Sequence, residues 1–249
     1  MGSSRPAAIR ELLRTRRVYR ARLPQTLPPP RWGLGELTGR LVELSAGGAS
    51  ATLTVATGLV LEAQRAGEPV AWIAPGDDGT FYPPDLAESG VDLGALVVIR
   101  APSCQPRAML TAADRLLRSG AFGLVLLDLA RAERIAVRWG GRAEQTQRPA
   151  GTRGPATSEA TPRALSLPAQ TRLAGLAQRH DAVLICLTTR PDPDSSGSLG
   201  SLVSLHATAT RVEAASGRFC CEVRVVKDKR RGPGWIHRQE GYRGPPGLR

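Results

Sequence analysis

Lysine is almost absent from this chain. Of 34 basic side chains only two, Lys227 and Lys229, are lysines, and no lysine precedes position 227. Chemistry that needs an ammonium group from the first nine-tenths of the sequence is therefore excluded. Cysteine and histidine are also sparse. Cys104, Cys186, Cys220 and Cys221 form no CxxC pair, and His180, His206 and His237 lie far apart, so metal-ligand spacing is missing. Two of the cysteines fall in apolar, strand-like runs, where a small buried thiol is the ordinary outcome. No apolar run reaches the roughly 18 residues of a membrane span. The N-terminus lacks the apolar segment of a secretion signal, and the expectation is a cytoplasmic protein.

What is present suits one sizeable core with arms, or at most two small domains, in 249 residues that are 41% hydrophobic. The 27 glycines and 20 prolines imply many turns and at least one unstructured stretch. The net charge of +12 is unevenly placed. Residues 1–31 hold eight arginines against one glutamate, residues 227–249 hold seven basic against two acidic side chains, and the segment between is balanced. The excess therefore sits in two arms, which suit nucleic-acid phosphates or an acidic protein surface, or serve solubility alone. An arginine bias of this kind is what a GC-rich genome produces, so it carries no functional weight by itself.

From Ala7 to Leu23 the apolar residues Ile9, Leu12, Leu13, Tyr19 and Leu23 recur near helical spacing with arginines between them, which predicts an amphipathic helix. Pro24 and Pro28-Pro29-Pro30 end it and form a stiff connector. Such a helix has no core of its own to cover, and Ile9, Leu12, Leu13, Arg16, Arg17, Tyr19 and Arg20 are its candidate partner-binding residues. The reading therefore places an arm at 1–31, a core at 32–229 and a basic flexible tail at 230–249. Within the core, strands are expected at Leu41–Ser45, Val70–Ala74, Leu96–Arg100, Leu124–Asp128 and Ala182–Thr188, with helices at Thr52–Ala66, Pro106–Ser119 and Thr171–His180. Buried apolar strands alternating with amphipathic helices indicate an α/β fold with a mainly parallel sheet. Leu202–Val212 and Phe219–Val226 then read as an antiparallel hairpin extending the sheet. The Gly/Pro/Thr/Arg-rich interval 140–168 has almost no large apolar residue and is expected to be mobile.

Three segments carry a family resemblance. Gly39-Arg40-Leu41-Val42-Glu43-Leu44, leading into a Gly/Ala/Ser loop and a helix, resembles the approach to the phosphate loop of RecA recombinases. Asp128, after four apolar residues, resembles their Walker B acid. Val225-Val226-Lys227-Asp228-Lys229 resembles the strand whose lysines reach the nucleotide of a neighbouring protomer. The resemblance spans about 35–231 and implies a RecA-like fold.

The departures from that pattern bear on function. A Walker A loop needs glycines that let backbone N–H groups wrap the phosphates, a lysine for the β and γ phosphates, and a hydroxyl for magnesium. Laid on Ser45–Thr54, the pattern puts Ala46 and Ala51 at glycine positions, Thr52 at the lysine and Leu53 at the hydroxyl. No shift of frame supplies a lysine. Gly76 stands where the family keeps a catalytic glutamate, with Asp77 and Asp78 beside it, and Thr189 stands at the glutamine that ends the fifth strand. ATP hydrolysis is not expected, and neither catalytic residues nor a cofactor are expected. Asp128 reads as a remnant or a structural residue.

A RecA-like body with a degraded nucleotide loop, an added amphipathic helix and a basic tail resembles the ImuA family, accessory proteins of the bacterial mutasome. That resemblance implies a role in DNA-damage-induced translesion synthesis and partners that include RecA, an ImuB-like protein of the polymerase family and an error-prone polymerase. Single-stranded DNA is a further candidate partner. For it, the family's DNA loops correspond to about 140–165, with Arg142, Arg148 and Arg153 but no aromatic for stacking, and to 190–200, which is mildly acidic. Lys227, Lys229, Arg230 and Arg231 are candidate DNA or partner contacts, with a solvated strand end as the plain alternative. An ATPase of unusual design could draw its lysine only from Lys227 or Lys229.

Overall fold

The computed structural model describes residues 29–46, 49–76, 81–101, 106–129, 165–189, 199–213 and 219–241. The chain divides into two units, Met1–Pro30 and Arg31–Arg249, and all the regular elements described belong to the second. The amphipathic segment 7–23 and nearly all of the 140–168 interval lie outside the described residues.

Eight strands form one sheet in the order β3-β2-β4-β5-β1-β6-β7-β8. They are β1 (Arg40–Ala46), β2 (Val70–Pro75), β3 (Leu96–Ala101), β4 (Leu124–Asp128), β5 (Val183–Thr189), β6 (Leu205–Glu213), β7 (Phe219–Asp228) and β8 (Ile236–Gly241). From β3 to β6 every pairing is parallel, while β6–β7 and β7–β8 are antiparallel. The inner strands β2 and β4 are buried along their whole length, as unbroken apolar runs require when helices cover both faces.

The helices are α1 (Leu34–Leu37), α2 (Thr52–Arg65), α3 (Pro83–Glu88), α4 (Pro106–Ser119) and α5 (Leu167–Arg179). On one face, Val55, Ala56, Leu59, Val60 and Ala63 of α2 share a core with Val42, Leu44, Trp72, Leu126 and Val223. On the other, Met109, Leu110, Ala113 and Leu117 of α4, with Leu173 and Ala177 of α5, cover Leu41, Ile73, Val125 and Leu184. Both stripes follow the three- and four-residue spacing of an amphipathic helix. Gly67 and Gly120 take positive φ (75° and 68°) where α2 and α4 end, a conformation that glycine adopts without a Cβ clash.

The structure departs from the sequence reading at several places. Helix α5 begins at Leu167 and not at Thr171, because Pro168 falls in its first turn, where a missing N–H is harmless. Strand β6 begins at Leu205, after a turn through 201–202. The stretch assigned to a flexible tail contains β8, paired to β7 from Phe219↔Gly241 to Arg224↔Ile236. Its sequence, Ile236-His237-Arg238-Gln239-Glu240-Gly241, has one apolar residue and no apolar alternation, so backbone pairing to a neighbour places it and hydropathy does not. Helices α1 and α3 are too short for a period to register.

An ion pair with no solvent-exposed side-chain surface ties the start of β1 to the end of β7, across β6. Arg40, first in β1, donates from Nη2 to Asp228 Oδ1 at 2.5 Å, and its Nε donates to Ser204 Oγ at 2.8 Å. Asp228 also accepts from the Arg230 N–H (2.8 Å) and from Trp235 Nε1 (3.1 Å). Burial alone would push this carboxyl up; the bonds from Arg40, Arg230 and Trp235 outweigh burial and hold it below the usual carboxylate range. Removing one partner strands the other charge, so Arg40→Met should cost about 3–5 kcal/mol in urea unfolding, and Arg40→Met with Asp228→Leu should recover most of it. A depressed carboxyl contributes stability that is complete above its unfolded value of about 3.9 and is lost as pH falls through the folded value. The urea midpoint should therefore decline at acid pH, and less steeply in Asp228→Asn.

Candidate functional site

In an open α/β sheet, ligands lie beyond the carboxyl ends of the strands, where the direction of chain progression reverses. Here β1 leads into residues 47–51 and then α2, the strand–loop–helix order of a phosphate loop. The second half of that loop is fastened to β6. The Ala51 N–H donates to the Ala209 carbonyl (3.3 Å), the Arg211 N–H donates to the Ala49 carbonyl (2.7 Å), and Ser50 bridges Thr210 in antiparallel fashion. Ser50 Oγ lies 2.9 Å from Thr52 Oγ1 and accepts from the Thr52 N–H at 3.4 Å. Two backbone donors at the head of α2 are thus engaged within the chain. Thr52, which the sequence reading laid on the Walker lysine, is buried, and Leu53 packs against the α2 side of the core.

Asp128 ends β4, buried, in register with Leu187 of β5 and, through it, with Leu44 of β1. Gly76, just after β2, donates its N–H to the Ala101 carbonyl at 2.7 Å. Asp77, Asp78, the side chain of Thr189, the 190–198 loop and the residues Ile9, Leu12, Leu13, Arg16, Arg17, Tyr19 and Arg20 lie outside the described residues.

Behind the loop runs a polar row, buried except at Lys227, that the sequence reading missed. Register aligns Cys186, Glu43, His206 and Lys227 across β5, β1, β6 and β7. Glu43 accepts from Thr188 Oγ1 (3.2 Å) and from the Leu199 N–H (3.3 Å), which fixes the start of the segment returning toward β6. Ser45 Oγ lies 2.9 Å from His206 Nε2 and 3.3 Å from the Ala207 carbonyl. The one signal in the sequence was polar residues at alternate positions of an apolar strand, Glu43 and Ser45, on one face of β1. Their partners lie 145 to 162 residues further on, beyond the reach of local pattern.

The four basic residues near the end of β7 do not form a free cluster. Lys227 Nζ donates to the Ser201 carbonyl at 2.9 Å; burial and the neighbouring Lys229 lower its pKa, while Glu43 opposes them. Arg230 Nη2 donates to the Thr38 carbonyl (3.0 Å), and Arg231 clasps Glu36 at 3.0 and 2.8 Å. Lys229 remains exposed. Arg230 and Arg231 thus brace α1 and the turn after it, and Lys227 braces the chain between β5 and β6.

Burial, and secondarily the charge of Glu43, push the Cys186 thiol far above its usual range. Cys221 is buried and raised as well, whereas Cys220 is partly exposed. In a Cys104→Ser background, a thiolate-selective reagent should label Cys220 in the native protein and reach Cys186 and Cys221 only as the chain unfolds. Native labelling of Cys186 at the rate of Cys220 would contradict this geometry.

No protein-family model matches the chain. A stretch of 98 residues, 39% of the chain, is 42% identical to the protein RecA of Nocardioides sp., and it spans about a quarter (27%) of that relative's length. Over that stretch the chain is similar to RecA, and its mainly parallel sheet with an antiparallel end is consistent with a RecA-like fold.

Proposed function

We propose that this protein is a non-catalytic, RecA-like accessory factor of the DNA-damage response, acting in error-prone translesion synthesis by binding RecA and the polymerase-side partners of the mutasome. The observation that carries the reading is the loop at 45–54. It keeps the strand–loop–helix path, yet buries Thr52 at the lysine position and gives the Ala51 N–H to β6. A triphosphate there would meet neither the ammonium nor the magnesium hydroxyl, and each charge-assisted hydrogen bond forgone is worth about 1.5–3 kcal/mol. Lys227, the first lysine in the chain, is bonded to the Ser201 carbonyl.

A RecA-like body without nucleotide chemistry keeps one use, which is to occupy surfaces that RecA-like bodies recognise. RecA protomers assemble by docking the N-terminal helix of one on the core of the next. The arginine-rich segment 7–23 and its proline connector form a comparable arm, so the protein would take a RecA interface without extending an active filament. The ImuA resemblance adds the ImuB-like protein and the error-prone polymerase as partners.

The deciding measurement is binding of the purified protein to RecA of the same organism, with and without single-stranded DNA and ATP, alongside RecA strand exchange. Direct binding with altered exchange is expected, and deletion of residues 1–31 should weaken it at least about tenfold, or about 1.4 kcal/mol. Undiminished RecA binding after that deletion would refute the capping arm. ATP turnover should stay at background; turnover that tracks the protein and vanishes in Lys227→Ala/Lys229→Ala would overturn the non-catalytic reading.

A further inference from the structure

Strand β8 ends the sheet, and no described strand pairs with its outer side. Its hydrogen-bonding phase is set by β7. Val225 donates its N–H to the Trp235 carbonyl at 3.0 Å and accepts from the Gly234 N–H at 2.9 Å. Backbone groups alternate in direction along an antiparallel strand, so Val223, Cys221 and Phe219 also turn theirs to β8, against His237, Gln239 and Gly241. Ile236, Arg238 and Glu240 therefore turn their N–H and C=O groups outward, as a template for a further strand.

The charges along this edge select what the template accepts. Natural sheets guard an open edge with proline or with charge that repels a like neighbour. β8 instead carries Arg238 and Glu240 at positions two apart on one face, a pattern that is complementary to itself. Arg238 is held in place before any partner arrives. Its Nε and Nη2 donate to Glu222 Oε2 at 2.9 and 2.8 Å, while Arg224 Nη2 donates to Glu222 Oε1 at 2.8 Å. The hydrogen bonds from Arg238 and Arg224 outweigh burial and hold Glu222 below the usual carboxylate range, so it stays charged and keeps the guanidinium oriented. The Arg238 side chain is nevertheless 67% exposed, with donors to spare beyond the two that Glu222 accepts. Cys220 stands across from Glu240 on β7, so the chain's own register sets no cation directly opposite that position.

A second copy running antiparallel can meet the outward groups in three registers. A two-fold axis through His237 sets Arg238 against Ile236, and one through Arg238 sets that arginine against itself. An axis through Gln239 sets Arg238 of each copy against Glu240 of the other, and lets both residues exchange their outward backbone bonds. On the α2 side Gly58 lies beside Gln239 and brings no side chain to that axis. We infer that two copies of this chain pair through β8, antiparallel about a two-fold axis at Gln239, and join their sheets into one. An interface of one strand is small, so the affinity is micromolar or weaker. The arm of residues 1–31 takes no part, and the pairing stands whether or not RecA binds.

Sedimentation equilibrium of the full-length protein, from about 1 μM to 1 mM, should show a monomer–dimer equilibrium. Glu240→Arg sets like charges opposite each other while leaving the Arg238–Glu222 bonds alone, and should weaken the dimer at least about tenfold. Glu240→Pro removes an outward N–H without touching the bonds to β7, and should do the same. A chain that stays monomeric throughout would overturn the inference. So would a dimer indifferent to both variants, which would place self-association on another surface. Cysteine cross-linking in a Cys104→Ser/Cys220→Ser background reads the register. Gln239→Cys, at a non-hydrogen-bonded pair on the axis, should oxidise to a disulfide-linked dimer, because such Cα atoms stand about 4.5 Å apart. Ile236→Cys should not, since at ~3.4 Å per residue it lies about 20 Å from its copy. Equal or reversed cross-linking at the two positions would sink this pairing.

Discussion

The buried pair of Arg40 and Asp228 joins residues 188 positions apart and sets where the central strand begins. Among the described strands, β1 alone is flanked by parallel neighbours both drawn from the second half of the chain, β5 on one side and β6 on the other. A one-residue slip of β1 would turn Glu43 and Ser45 into the apolar core under α2 and bring Val42 and Leu44 against His206. Arg40 forbids that slip, because its guanidinium is met by Asp228 and by both the hydroxyl and the carbonyl of Ser204 only in the observed register. The loop at the other end of β1 is thereby held against β6.

That loop owes its course to packing. The path from β1 to α2 is set by apolar packing of Leu44, Val55, Leu59 and Val60, none of which handles phosphate. Thr52 lies buried on that path, and Ser50 and Ala51 meet their backbone needs locally and on β6. Glu43, Ser45 and His206 form a buried, hydrogen-bonded polar seam behind it. Such a seam contributes register and rigidity more than net stability.

The legible part of the fold was the part with strong local signals. β4 and α4 stand where apolar runs, Pro106 and Gly120 put them, and Gly67 marks the end of α2. The absence of a lysine was equally plain. β8 was not legible, because an edge strand of His237, Arg238 and Gln239 is placed by hydrogen bonds to β7. Nor was the role of the basic run at 227–231, since charge along a sequence does not tell whether Arg231 faces solvent or Glu36. The arginine pair on Glu222 escaped notice for the same reason: Arg224 and Arg238 look like ordinary solvated charges until antiparallel register sets them on one carboxylate.

The place of β1 in the sheet also sets a schedule for a ribosome-bound chain. Its two neighbours end at Thr189 and Glu213, so both edges of an apolar strand stay open until those residues have been made. At about 5–20 residues per second, that interval is on the order of ten to thirty seconds. Over this time Val42 and Leu44 have α2 as their native cover, while Leu41 faces the side that α4 and α5 close later. Cellular yield should then be limited by chaperone occupancy of the nascent N-terminal half more than by the equilibrium stability of the finished sheet.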